Sequence, residues 1–256
     1  MDENDYCSES KGGIGKTTTA TAVASILDAK GYKTLLIDAD QQGNSSDTYK
    51  AAIEGNATLF DVLLDEERIS LEEAIQHTES GDIVASDPLL RKADEILNGD
   101  PEGLYRFQDA LEELKGYDFV IVDTAPSLNS ILYNCLVAAD DVLIPVTADR
   151  YGLQGLSQLN DTINAIKRRQ NRNLKIIGLL LIKYNKRTLL SREVRGSLEE
   201  IAKSMNTKVF ETAIRESTKA REAQAVRETL IRYDAKSTTA QDYSSFVDEL
   251  LKEEEL

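Results

Sequence analysis

The sequence predicts an α/β fold, a mainly parallel sheet with helices on both faces. Two observations predict it. Short apolar runs alternate with helical patterns along most of the chain. A glycine-rich loop also opens directly onto the first helical pattern. The 256 residues suit one sizeable domain, and no Pro-, Gly- or Ser-rich stretch marks a linker, so residues 1–256 are expected to form a single unit.

The elements follow in order. Residues 11–19 read Lys-Gly-Gly-Ile-Gly-Lys-Thr-Thr-Thr. Upstream of them the first ten residues include four carboxylates, Asp2, Glu3, Asp5 and Glu9, so an apolar strand there is at most a stub near Tyr6-Cys7. Downstream, Ala20, Val23, Ala24 and Leu27 recur at i, i+3, i+4 and i+7, which predicts an amphipathic helix over 17–30 with Gly31 as its C′ residue. A strand is expected at 33–38, followed by Ala39-Asp40-Gln41-Gln42-Gly43-Asn44. Further strands are expected at 82–86, 118–123, 142–146, 176–182 and 208–213. Helices are expected near 89–97, 105–114, 127–137, 153–169, 190–204 and 240–252. Ligands of such sheets bind at the carboxyl ends of the strands, where Lys16, Asp40 and Asp123 all fall.

Gly15-Lys16-Thr17 has the form of a phosphate-binding loop. Its glycines let backbone N–H groups turn inward around an anion, Lys16 reaches the β/γ-phosphates and the Thr17 hydroxyl ligates Mg²⁺. Phe119-Val-Ile-Val-Asp123 is an apolar strand ending in an acid. Asp123 reads either as a Mg²⁺ ligand or as a cap for the helix that begins near Pro126-Ser127; beside Lys16 the metal reading wins. Asp38 and Asp40 lie at i and i+2, so their side chains point to the same face.

Ser10 stands where the common loop pattern has its first glycine, and Lys11 precedes the Gly-Gly pair. The run resembles the deviant Walker A motif, KGGxGK[ST], of the ParA/MinD class of P-loop ATPases. That resemblance implies the deviant Walker P-loop fold and ATP hydrolysis with ATP and Mg²⁺ as cofactors. It also implies a nucleotide held by Lys11, Gly12, Gly13, Ile14, Gly15, Lys16, Thr17 and Thr18. Lys11 would reach across a homodimer to the other subunit's ATP. Asp40 would position the attacking water, and Asp38 would be structural or stand behind the Mg²⁺ ligands Thr17 and Asp123. The catalytic set so implied is Lys11, Lys16 and Asp40. The likeness continues through residues 144–156, through Arg187-Thr188 and residues 190–194, and through Arg215 to residue 240. One departure is Ile214, where the family usually has a proline near the base.

The net charge of −15 argues against general nucleic-acid affinity, but it is uneven. Residues 1–150 hold 11 Lys/Arg against 30 Asp/Glu, whereas residues 160–236 hold 18 against 9. In ParA proteins a late basic surface, including an arginine matching Arg187, binds double-stranded DNA without sequence preference. Arg187, Arg192, Arg215 and Lys219 are the DNA-contact candidates here. A ParB-like centromere-binding partner is implied as the stimulator of hydrolysis. MinD-type relatives end in a basic helix that docks on lipid; here four glutamates among the last eight residues oppose that, so the apolar stripe is expected to pack on the sheet. No signal peptide or membrane span is seen, and Cys7 and Cys135 show no metal spacing. A cytoplasmic, nucleoid-associated protein is expected, with no helix-turn-helix segment before the loop and hence no operator-specific role. His77 is expected to do nothing chemical. Three alternatives stay open: a MinD-like ATPase, a metal-cluster-assembly ATPase, and a nucleotide-binding regulator with little hydrolysis.

Overall fold

The computed structural model describes residues 15–64, 67–149, 153 and 155–253. The first half runs α1 (Lys16–Ala29), β1 (Thr34–Ala39), α2 (Asn44–Thr48), α3 (Leu59–Leu63), α4 (Leu71–Ala74), β2 (Ile75–Thr78) and β3 (Gly81–Val84). A 3₁₀ turn at Pro88–Lys92 leads into α5 (Ala93–Asn98), α6 (Arg106–Glu113), β4 (Phe119–Thr124) and α7 (Ser130–Ala138). The second half runs β5 (Asp141–Thr147), α8 (Leu156–Arg169), β6 (Lys175–Ile182), α9 (Leu189–Ser204), α10 (Lys219–Ala225), α11 (Leu230–Asp234) and α12 (Thr238–Glu253).

Among the described residues the strands form a four-stranded sheet, β2-β3-β1-β4, and a parallel pair, β5-β6. β1 is parallel to both β3 and β4, and β2 is an antiparallel edge. The period-two alternation of strands puts successive side chains on opposite faces, and both faces are covered. Leu35 and Ile37 of β1 join a cluster with α3, α5 and α7, while Leu36 faces Ala20 and Ala24 of α1. In β6, Leu179 and Leu181 pack towards α8 and α9, while Leu180 and Ile182 pack towards α1 and α12. The expected α/β architecture with helices on both faces is what the chain forms.

The structure corrects several elements. Helix α1 is not amphipathic: every residue from Thr19 to Leu27 is buried, because α12 covers the side that faces away from the sheet. Its end is as expected, with Gly31 at φ +94° and the paired bonds Gly31 N–H to Asp28 C=O and Tyr32 N–H to Leu27 C=O. Residues 208–213 form no strand ladder. They run beside β6 with an isolated bridge at Leu179–Val209, and Glu249 of α12 takes the Glu211 and Thr212 N–H groups that a further strand would need. The short edge strand β2, and the brief helices α2, α3, α4, α10 and α11, carry too little periodicity to be read from sequence. The helix expected near residue 127 begins at Ser130, because Asn129 caps it by accepting from the Leu132 N–H at 2.9 Å. The C-terminal stripe packs mainly on α1: Tyr243, Phe246, Val247 and Leu250 meet Ala22, Val23, Ile26 and Leu27, with Leu180 of β6 alongside.

Candidate nucleotide site

The site forms where α1 begins and β1 and β4 end. Gly15 precedes α1 at φ +77°, a backbone that favours glycine, and a β-carbon there would stand 2.5 Å from Ile182 Cδ1. The first turn of α1 has N–H groups without intrahelical partners and no side-chain cap, which suits an anion. Lys16 opens the helix. Burial lowers the pKa of its ammonium, and the nearby Asp123 and Asp40 carboxylates oppose that shift.

Parity along the parallel strands brings the acids together. Asp38 of β1 is in register with Asp123 of β4, and both lie on the α1 face. Asp123 is buried, and its carboxylate accepts hydrogen bonds from the Ser45 hydroxyl at 2.8 Å and from Thr17. Burial raises its pKa, and the hydroxyls and Lys16 hold it down. A carboxylate flanked by two hydroxyls is a set of oxygen donors of the kind that hard Mg²⁺ prefers, with the Lys16 cation beside it. Thr17, Lys16 and Asp123 are thus gathered at one spot.

Asp38 sits deeper. Its Oδ2 accepts from Ser46 N–H at 2.7 Å and Ser46 Oγ at 2.8 Å, and its Oδ1 accepts from Asp40 N–H at 3.2 Å. Burial and the charge of Asp123 push its pKa up to about 7. These bonds turn Asp38 to bracing the loop that follows β1. Asp40 lies in that loop, with its carboxylate accepting the Gln42 N–H at 3.0 Å and its carbonyl accepting the Gly43 N–H at 2.9 Å. Ser45, Ser46 and Ser86 are polar residues of this site that motif reading missed. The available signal was position: two follow the acidic turn directly, and the third sits just past a strand end.

Lys11, Gly12, Gly13 and Ile14 lie outside the described residues, while Thr18 sits in the first turn of α1. The four DNA-contact candidates divide into two pairs. Arg187 and Arg192 are exposed in the loop after β6 and the first turn of α9, which Thr188 caps. Arg215 is instead gripped by both Asp242 oxygens at 2.7 and 2.8 Å, and Lys219 is paired with Glu222 at 2.7 Å. His77 pairs with Asp82 at 2.6 Å on the far edge. Cys135 is buried in α7, where burial pushes its thiol pKa up to about 12.

A phosphate-accepting helix start with a lysine, a hydroxyl and a strand-end aspartate, on a mainly parallel α/β sheet, defines a mononucleotide-binding protein of the P-loop class. The comparisons narrow this. The AAA domain family matches residues 6–176. The chain is 35% identical over 250 residues to "Chromosome partitioning protein ParA" of Myxococcus xanthus, covering 96% of this chain and 86% of the relative. It is 34% identical over 244 residues to "Sporulation initiation inhibitor protein Soj" of Bacillus subtilis, covering 94% of each. The crystal structure of cobyrinic acid a,c-diamide synthase from Mycobacterium smegmatis with bound ADP and magnesium superposes with a TM-score of 0.81 at 28% identity, covering 96% of this chain and 92% of that one. The chain belongs to the ParA/Soj family of partition ATPases.

Proposed function

We propose that this ATPase partitions DNA: ATP bridges two subunits, the dimer binds double-stranded DNA without sequence preference, and hydrolysis stimulated by a ParB-like partner releases it. The observation that carries the reading is the convergence of Lys16, Thr17, Asp123 and the Asp40 loop at the start of α1. The enzyme hydrolyses ATP with Mg²⁺, the ligands its family and its oxygen donors suit. Mg²⁺, when bound, would offset the negative charge of the phosphates.

The chain's own residues supply the rest. The α1 N–H groups and Lys16 hold the phosphates. The Thr17 hydroxyl and Asp123 hold the metal, directly or through a water. Asp40 orients the attacking water, and Asp38 keeps its loop in place. Lys11 reaches the nucleotide of the second subunit. On the outer surface Arg187 and Arg192 contact DNA phosphates. Arg215 and Lys219 are weaker candidates, because each is already neutralised by a neighbouring carboxylate. The packing of the α12 stripe on α1 supports DNA over lipid as the surface engaged, since that apolar face is consumed within the fold.

ATP turnover measured with and without double-stranded DNA, together with DNA retention in the presence of a slowly hydrolysed ATP analogue, tests the proposal. Retention that requires the analogue is expected. Retention equal without nucleotide, or none at all, would overturn the DNA cycle while leaving the ATPase in place.

A further inference from the structure

The loop that carries Asp40 is held by a residue that is not part of it. Ser86 follows the C-terminal end of β3, is 1% exposed and touches the loop twice. Its hydroxyl donates to the Asp40 carbonyl at 2.6 Å, and its N–H donates to the Ser46 hydroxyl at 2.8 Å. Ser46 passes the connection on to Asp38 Oδ2 through both its hydroxyl and its N–H. Asp38 Oδ1 then accepts the Asp40 N–H. A closed ring of hydrogen bonds thus runs from the Asp40 carbonyl through Ser86, Ser46 and Asp38 back to the Asp40 N–H. The peptide groups on both sides of the Asp40 side chain are pinned.

We infer that Ser86, acting with Ser46, is a positioning residue for ATP hydrolysis: it fixes the Asp40 backbone and so aims the carboxylate that orients the attacking water. The inference rests on the reading of Asp40 given above. Its physical basis is that the ring is buried, where water cannot readily replace a lost donor. The Asp40 carbonyl also accepts the Gly43 N–H, so without Ser86 the turn survives but its peptide plane is held from one side only. Misplacing a reacting group by a fraction of its working distance costs rate, whereas ground-state phosphate binding, which depends on α1 and Lys16, is untouched.

Single-turnover ATP hydrolysis and ATP-analogue binding are measured on the full chain for Ser86→Ala and Ser86→Thr, each alone and combined with Asp40→Ala. Thermal melts are taken alongside. Ser86→Ala is expected to slow hydrolysis about tenfold, the rate equivalent of roughly one net hydrogen bond, with analogue affinity unchanged. Ser86→Thr, which keeps the hydroxyl, is expected to retain most of the rate. In the Asp40→Ala background, Ser86→Ala should slow hydrolysis no further. The proposal is overturned if Ser86→Ala hydrolyses at the wild-type rate, if its loss follows the fraction unfolded, or if it slows the Asp40→Ala chain by the same factor again. Wild-type turnover by Asp40→Ala alone would instead sink the role given to Asp40, so the two failures are distinguishable.

Discussion

Asp38 and Asp40 stand two residues apart and are held for different tasks. Asp38 is buried and faces Asp123 across paired strands, which pushes its pKa up to about 7, against 3.8 for a free side chain, although the Ser46 and Asp40 donors oppose the shift. Between those values the folded chain binds a proton that the unfolded chain has released. Stability therefore falls as pH rises through the window. Asp38→Asn should flatten that slope, and urea midpoints measured between about pH 5 and 7 check it. An unchanged slope would assign the proton to Asp123. Asp40→Ala should retain ATP and hydrolyse it roughly 10²–10⁴-fold more slowly, as expected when a water-orienting group is lost. Rapid-quench turnover with a parallel binding isotherm separates the two effects.

At the scale of elements, α1 is the shared wall of the molecule. One side packs on the sheet and the other receives α12, so the helix that presents its start to phosphate is clamped along its length. Within that contact Tyr243 and Thr19 share a buried hydrogen bond at 3.0 Å. Burial pushes the Tyr243 phenol up to about 12, which keeps it neutral and able to donate. Tyr243→Phe keeps the ring and leaves Thr19 without that partner, so it should cost about 1–3 kcal/mol, read as a lower denaturation midpoint. If stability did not change, the hydroxyl pair would be incidental to how α12 holds α1.

Across the whole molecule, charge separates by region, and the basic late segment stands out against an acidic first half. Arg187 emerges beyond the C-terminal end of β6, and the nucleotide residues lie at the same ends of β1 and β4. A DNA surface there would lie near the ATP site, since Ile182 at the end of β6 stands close to Gly15, which would let nucleotide state and DNA affinity communicate over a short path. Arg187→Ala should weaken DNA retention similarly for all sequences and reduce the salt slope by about one unit, with ATP binding unaffected. Titrations at several salt concentrations test this; an unaltered slope removes Arg187 from the interface. Arg215→Ala is the contrast, because its guanidinium is occupied by Asp242 and its loss should register in stability before DNA affinity.

The sequence by itself determined the class, the glycine and lysine that open α1 and the acids at the ends of β1 and β4. These depend on local rules: glycine where the backbone turns left-handed, period-two runs for strands, an acid where an apolar run stops. It also determined where α1 ends, at Gly31. Tertiary structure alone decided which residues serve the acids. Ser86 lies 46 positions from Asp40 in the chain yet donates to its carbonyl, because β3 pairs in parallel with β1 and their ends coincide. It likewise decided that α1 is buried on every side and that 208–213 forms no ladder, since α12 returns from the end of the described chain to cover one and bond the other. Contacts of that kind depend on sheet order and helix return, and neither leaves a mark in local composition.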